Sequence, residues 1–158
     1  MAEHHLDAAD GWLGLGDYLS ANDELGKIAP ELRGHPAVLS RRVAIYIKAE
    51  RWNEAAQIAE SLVKLSPGDV HAWIWRSFAL HEVKRTKEAY GLLLPAGVEF
   101  PKCWTVPYNL ACYCCQLGRR EEAEVWFKCA MAIDKDTVRR EAMDDPDLEP
   151  LWSRISEI

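Results

Sequence analysis

From Ala55 onward the apolar side chains fall at Ala55, Ile58, Ala59, Leu62 and Leu65, the three- and four-residue steps of one helical face. The same spacing starts again at Ala89 and at Ala123, each alanine 34 residues after the one before. Four residues past each alanine stand Ala59, Leu93 and Phe127, and seven past stand Leu62, Ala96 and Ala130. Pro67, Pro101 and Lys135 follow twelve residues past each alanine, and Pro36, Pro67 and Pro101 stop one helix or begin the next. A fixed period of this length, carried by helical stripes, predicts tandem helical units in which no unit buries its apolar face alone.

The segment before each alanine supplies a second helix. In the last unit it reads Tyr108-Asn-Leu-Ala-Cys-Tyr-Cys-Cys-Gln-Leu-Gly118, followed by Ala123, Phe127 and Ala130. Small residues at Ala55, Ala89, Ala111 and Ala123 let two antiparallel helices approach closely, with Leu, Phe and Trp filling the gaps beside them. The period and the Leu110-Ala111, Gly118, Ala123, Phe127, Ala130 set resemble the tetratricopeptide repeat, most fully in this last unit. Trp73 in the preceding unit and Tyr46 in the one before it occupy large-residue positions of the first helix. Several positions depart from the pattern. Arg42 and Arg76 replace a leucine, Ser77 a smaller residue, and Pro107 stands where Trp is common. Glu50 and Lys84 occupy the turn position that Gly118 fills.

The resemblance implies an all-α, antiparallel helix-pair solenoid of three to four repeats in one domain spanning residues 1–158. Residues 8–35 read as a shortened, irregular first pair, 36–67, 68–101 and 102–135 as repeats, and 136–158 as an acidic C-terminal cap. Such stacks need atypical ends, and Leu148, Leu151, Trp152 and Ile155 give the last segment an apolar side to lay on the final repeat. The Asp-Pro-Asp-Leu run at 145–148 resembles the closing segment of small bacterial stand-alone proteins of this kind.

In that family the first helices line a concave groove that holds a partner's peptide or helix. Its groove positions carry over to Arg41, Ala44 and Lys48, then His71, Ile74, Trp75, Phe78 and His81, then Tyr108, Asn109 and Cys112. Trp75 and Phe78 read equally as packing between helices, and Asn109 as a residue bonding a neighbouring backbone. Arg41 and Lys48 either clamp an acidic peptide or stand as solvated charges. One branch grips chaperone tails with Lys and Asn from one repeat and Lys and Arg from a later one; Asn109 is present, but His71 and Trp75 stand in the preceding repeat and Thr105 and Tyr108 are not basic, so that clamp is absent. The implied role is a non-catalytic adaptor, scaffold or co-chaperone-like module that binds a protein or peptide partner in the concave groove, its oligomeric state open.

Charge narrows the partner. The 158 residues carry a net −6, which disfavours nucleic acid, because phosphate binding needs clustered Lys and Arg. Residues 134–158 hold eight acids against four bases. No uncharged apolar run approaches the roughly 18 residues of a membrane helix, and the polar start resembles no signal peptide. Five cysteines, an odd and clustered set, suit a reducing cytoplasm. Cys112 and Cys115 share a helical face and raise a rival reading, a thiol-based metal or redox protein with His81 as a further ligand. Small cysteines also serve as core residues, and no phosphate loop, nucleophile elbow or zinc-protease motif is present. No cofactor, no metal and no enzymatic activity are expected.

Overall fold

The computed structural model describes residues 2–158, and every regular element among them is helical. In chain order the helices are α1 (Ala2–Gly14), α2 (Tyr18–Gly26), α3 (Pro36–Lys48), α4 (Trp52–Leu65), α5 (Val70–Glu82), α6 (Thr86–Leu93), α7 (Ala96–Glu99), α8 (Thr105–Gln116), α9 (Arg120–Ile133) and α10 (Lys135–Met143). Short 3-10 segments lie at Pro30–Leu32 and Pro146–Arg154. The chain divides into two compact units, Met1–Ala79 and Leu80–Ile158.

The 34-residue period is written into the backbone four times. Gly16, Glu50, Lys84 and Gly118 all take positive φ, at 79°, 54°, 66° and 73°. The residue after each donates its N–H back five positions: Asp17 to Trp12, Arg51 to Tyr46, Arg85 to Leu80 and Arg119 to Cys114. This is the Schellman closure, in which a left-handed residue lets the chain reverse while orphaned carbonyls keep donors. Only two of the four sites use glycine, so Glu50 and Lys84 hold a conformation that costs an ordinary side chain about 1 kcal/mol.

Helix entry repeats too. Arg51, Arg85 and Arg119 stand at the N-caps of α4, α6 and α9 without a side-chain cap. Each instead pairs with a carboxylate three residues on: Glu54 at 2.7 Å, Glu88 at 2.7 Å and Glu122 at 3.8 Å. Those acids sit in the first turn, where the helix dipole favours negative charge. In the first copy Asp17 caps α2 directly, accepting from the Ser20 amide at 2.9 Å.

The first pair is therefore regular in its packing, which differs from the shortened pair starting at residue 8. Helix α1 begins at Ala2, and Ala21, Leu25 and Ile28 stand 34 residues before Ala55, Ala59 and Leu62. Ala21, Ala55, Ala89 and Ala123 are all completely buried. In the first unit Ala9, Ala21, Leu25, Ile28, Val38 and Ile45 form one core, with Leu6, Leu13 and Tyr46 against it. A smaller cluster of Leu62, Val63 and Ala72 carries Leu39, Trp73 and Trp75.

Arg76, at a position expected to hold leucine, is buried and donates to Glu60 at 2.7 Å. That hydrogen bond holds the Glu60 carboxyl below its ordinary range, against the opposing effect of burial. A second local difference lies in the repeat 68–101, where the second helix stops at Leu93 and only α7 continues. Pro95 is the reason: it lacks an N–H for the ladder and its ring obstructs the preceding turn.

In the second unit α8 packs against α9, α6 and the C-terminal 3-10 segment. Asp134 caps α10 through the Thr137 amide, and Asp145 caps the 3-10 segment through the Asp147 amide at 3.0 Å. Leu148 and Leu151 are completely buried and Ile155 nearly so, and the Trp152 indole N–H donates to the Ala142 carbonyl at 2.8 Å. Each such aliphatic burial is worth about 1.5–3 kcal/mol, so this acidic stretch is an integral part of the unit's core.

Candidate functional site

The groove residues expected from the first unit remain partly open to solvent. Lys48 and His71 are exposed, and Arg41, Ala44, Ile74, Trp75 and Phe78 are half-buried. Arg41 is already engaged: its guanidinium grips Asp10 through two bonds of 3.1 and 2.7 Å. A fork-to-fork pair of this kind leaves little of its charge for an acidic peptide. Trp75 packs on the Leu62–Val63–Ala72 cluster and lies 5.8 Å from the His71 ring, and Phe78 meets Trp52 edge-on at 5.7 Å. Both aromatics thus have packing partners of their own.

In the second unit the structure draws His81, Tyr108 and Cys112 out of solvent. His81 is 6% exposed; its Nε2 meets Asp147 Oδ2 at 3.0 Å and its Nδ1 the Thr86 hydroxyl at 2.9 Å. The carboxylate can only accept, so Nε2 carries the proton. This bond holds the Asp147 carboxyl below its ordinary range. Tyr108 donates its hydroxyl to Asp145 Oδ2 at 2.8 Å, and Gln116 donates to the Asp147 carbonyl at 3.2 Å. Burial and that carboxylate together push the Tyr108 phenol far above its usual range. The helix face expected to meet a partner is here met by the chain's own residues 145–148.

Burial also answers the thiol reading. Cys112, Cys114 and Cys115 are all buried. Burial drives the Cys112 thiol well up, Cys114 to about 12 and Cys115 to about 11. Thiols held protonated are poor nucleophiles and poor metal ligands. Among the described residues no three His, Cys, Asp or Glu side chains gather as a metal site would require. His81, offered as a further ligand, spends both ring nitrogens on Thr86 and Asp147.

The start of α8 borders a surface cavity. Trp104, at its N-cap, and Tyr108, one turn on, set their rings perpendicular with centroids 5.5 Å apart. Beside them a cavity of about 380 Å³ is lined by Tyr108 and Asn109 and by Glu141, Asp144 and Asp145 from the end of α10. Asn109 is half-buried at this wall. Groove position in the sequence points to Tyr108 and Asn109 but passes over Trp104, and it marks the carboxylates only as a solvated cap. The four-residue step from Trp104 to Tyr108 is visible in the sequence; the fold-back that brings 141–145 beside it is not.

No protein-family model matches the sequence, and no curated protein matches it. Solved structures nevertheless place it clearly: the fold is of the tetratricopeptide type, an all-α repeat of helix pairs. The thermophilic TPR protein TTC0263 of Thermus thermophilus is similar with a TM-score of 0.78 and 20% identity, over 97% of this chain and 82% of that one. MamA from Desulfovibrio magneticus RS-1, as its fragment from residue 41 onward, gives 0.79 and 18%, over 86% and 77%. A further MamA crystal structure gives 0.78 and 16%, over 93% and 78%. No helix among the described residues is long and apolar enough to cross a membrane.

Proposed function

We propose that the chain is a non-catalytic interaction module that binds a peptide or helix of a partner protein, with the half-buried Trp104 at the start of α8 as an anchor. The observation that carries this reading is the Trp104–Tyr108 pair standing beside a solvent-open cavity, in a molecule of the tetratricopeptide fold type. Rigid aromatics at the mouth of a pocket are the composition of binding hot spots. Asn109 supplies orientation through an amide that both donates and accepts. Exposed Lys48 and His71, with Arg41, Ala44, Ile74, Trp75 and Phe78 beside them in the sequence pattern, form a second, more polar candidate surface in the first unit. A cytoplasmic setting accords with five free cysteines, three of them buried.

The test compares two tryptophans, once a partner has been found by crosslinking and mass spectrometry and prepared in pure form. Trp104→Ala is expected to weaken partner binding by about 2 kcal/mol, the range of an aromatic anchor, with little change in melting temperature. Trp75→Ala is expected to lower folding stability by about 2–4 kcal/mol, because its ring is packed on a core cluster. Unchanged affinity in folded Trp104→Ala removes the anchor and with it this reading of the α8 face.

A further inference from the structure

The charges of the second unit are unequally answered. His81 has Asp147, and Arg154 has Glu124 at 2.8 Å. The carboxylates at the cavity are not answered in this way. Among the described residues no ion pair engages Asp144 or Asp145, and Glu141 has only its exposed neighbour Arg140, at 3.7 Å. No Lys, Arg or His lines the cavity. Asp145 is half-buried and fixed in place: Oδ1 accepts from the Asp147 amide and Oδ2 from the Tyr108 hydroxyl. Its negative charge therefore stands preorganised at the wall, with hydrogen bonds from neutral donors and no counter-ion. On the other wall stands the half-buried Trp104 ring, whose negative face attracts cations, with the buried Tyr108 ring perpendicular to it.

We infer that this cavity recognises a cationic side chain of the partner, arginine above all, seated between the Trp104–Tyr108 corner and the carboxylates of Glu141, Asp144 and Asp145. Resting on the interaction-module reading, it names the chemistry of the partner: a basic peptide, and not the acidic one that Arg41 and Lys48 suggest from the sequence. Arginine fits better than lysine because a planar guanidinium stacks on an aromatic face while its edges donate to carboxylates. An ammonium, compact and strongly hydrated, gains less from the rings. A neutral ligand of the same shape gains neither the carboxylates nor the cation–π attraction.

The test uses the intact protein labelled with ¹⁵N and two small probes, N-acetyl-arginine methylamide and its uncharged isostere N-acetyl-citrulline methylamide. The arginine probe is expected to shift the Trp104 indole N–H resonance saturably in the millimolar range, about tenfold more tightly than the citrulline probe. Raising the salt should shrink that ratio. The double variant Glu141→Gln/Asp144→Asn alters exposed carboxylates outside the core, so it should fold as the parent does and lose most of the preference. Equal affinity for both probes, no Trp104 shift with either, or a preference that survives the double variant each overturns the assignment. These outcomes are separate from the partner test above: a Trp104→Ala effect on partner binding with no arginine preference removes the cation alone.

Discussion

Helices α3 and α8 occupy the same place in the repeat, 68 positions apart, yet they are buried very differently. Three of the thirteen residues of α3 are buried, against nine of twelve in α8. Their shared positions agree: Val38 and Val106 are buried, and so are Val43 and Ala111. Half of the excess in α8, Tyr108, Cys112 and Cys115, lies on the opposite side, where residues 145–151 fold back; Pro107, Leu110 and Cys114 make up the rest. The repeat therefore fixes which side of a first helix meets its neighbours. Whether the other side stays open is decided by sequence outside the repeat.

The strongest way to break the equivalence is at its shared centre. Ala55→Asp and Ala123→Asp each place a charge at a fully buried small position between close helices. Each should cost about 3–5 kcal/mol or abolish folding, read by urea unfolding. If either variant unfolds like the parent, the two pairs are not built alike. Next in size is removal of residues 145–158, which takes Leu148, Leu151 and Ile155 from the second unit and uncovers α8. A loss of about 4 kcal/mol or more is expected. Equilibrium unfolding like that of the full chain would contradict the integral role of that segment.

Acidity sharpens the same contrast more gently. The Asp147 carboxyl is held below its ordinary value, so its ionised form stabilises the fold above about pH 4. That contribution is lost as the pH falls from the ordinary value through the lowered one. Asp147→Asn should flatten this part of the stability profile while leaving neutral-pH structure in place; a profile identical to the parent's would show that His81 contributes nothing through this bond. Smallest is the effect at the turns. Glu50→Gly and Lys84→Gly relieve about 1 kcal/mol of left-handed strain but add a similar entropy to the unfolded chain. Net changes within about 0.5 kcal/mol are expected, whereas Gly118→Ala should cost about 1 kcal/mol. A large gain at Glu50 would mean that the strain there exceeds that of an ordinary left-handed residue.

Much of the fold is legible in the sequence because the residues at contact between helices are small and evenly spaced. Ala55, Ala89 and Ala123 announce three copies, and the turn position of Glu50, Lys84 and Gly118 is recognised through its one glycine. The first copy is harder to see. Ala21, Leu25 and Ile28 keep the register, but Asp17 replaces the arginine, and Pro36 stands 31 rather than 34 residues before Pro67. Proline spacing reports the loop, not the helices. The interruption at Pro95 is available from that residue alone. The place of Arg76 is not, because its burial depends on Glu60, 16 residues away. The candidate site is half legible: Tyr108 and Asn109 follow from helix position, whereas the carboxylates reach them only through the return of 141–145. Nothing local in Asp144-Asp145-Pro146 says which helix it will lie beside.

The cover over Cys112 also gives the molecule a built-in clock. Of the five thiols only Cys129 is exposed, and Cys103 is partly so; these should react promptly with a sulfhydryl reagent. Cys112 lies against Asp145 at 3.7 Å and has to wait for that segment to lift. Its modification rate, followed by peptide mass, therefore counts spontaneous openings of the C-terminal segment in the native protein. A bound partner that needs the segment closed would slow the count, and one that displaces it would speed the count.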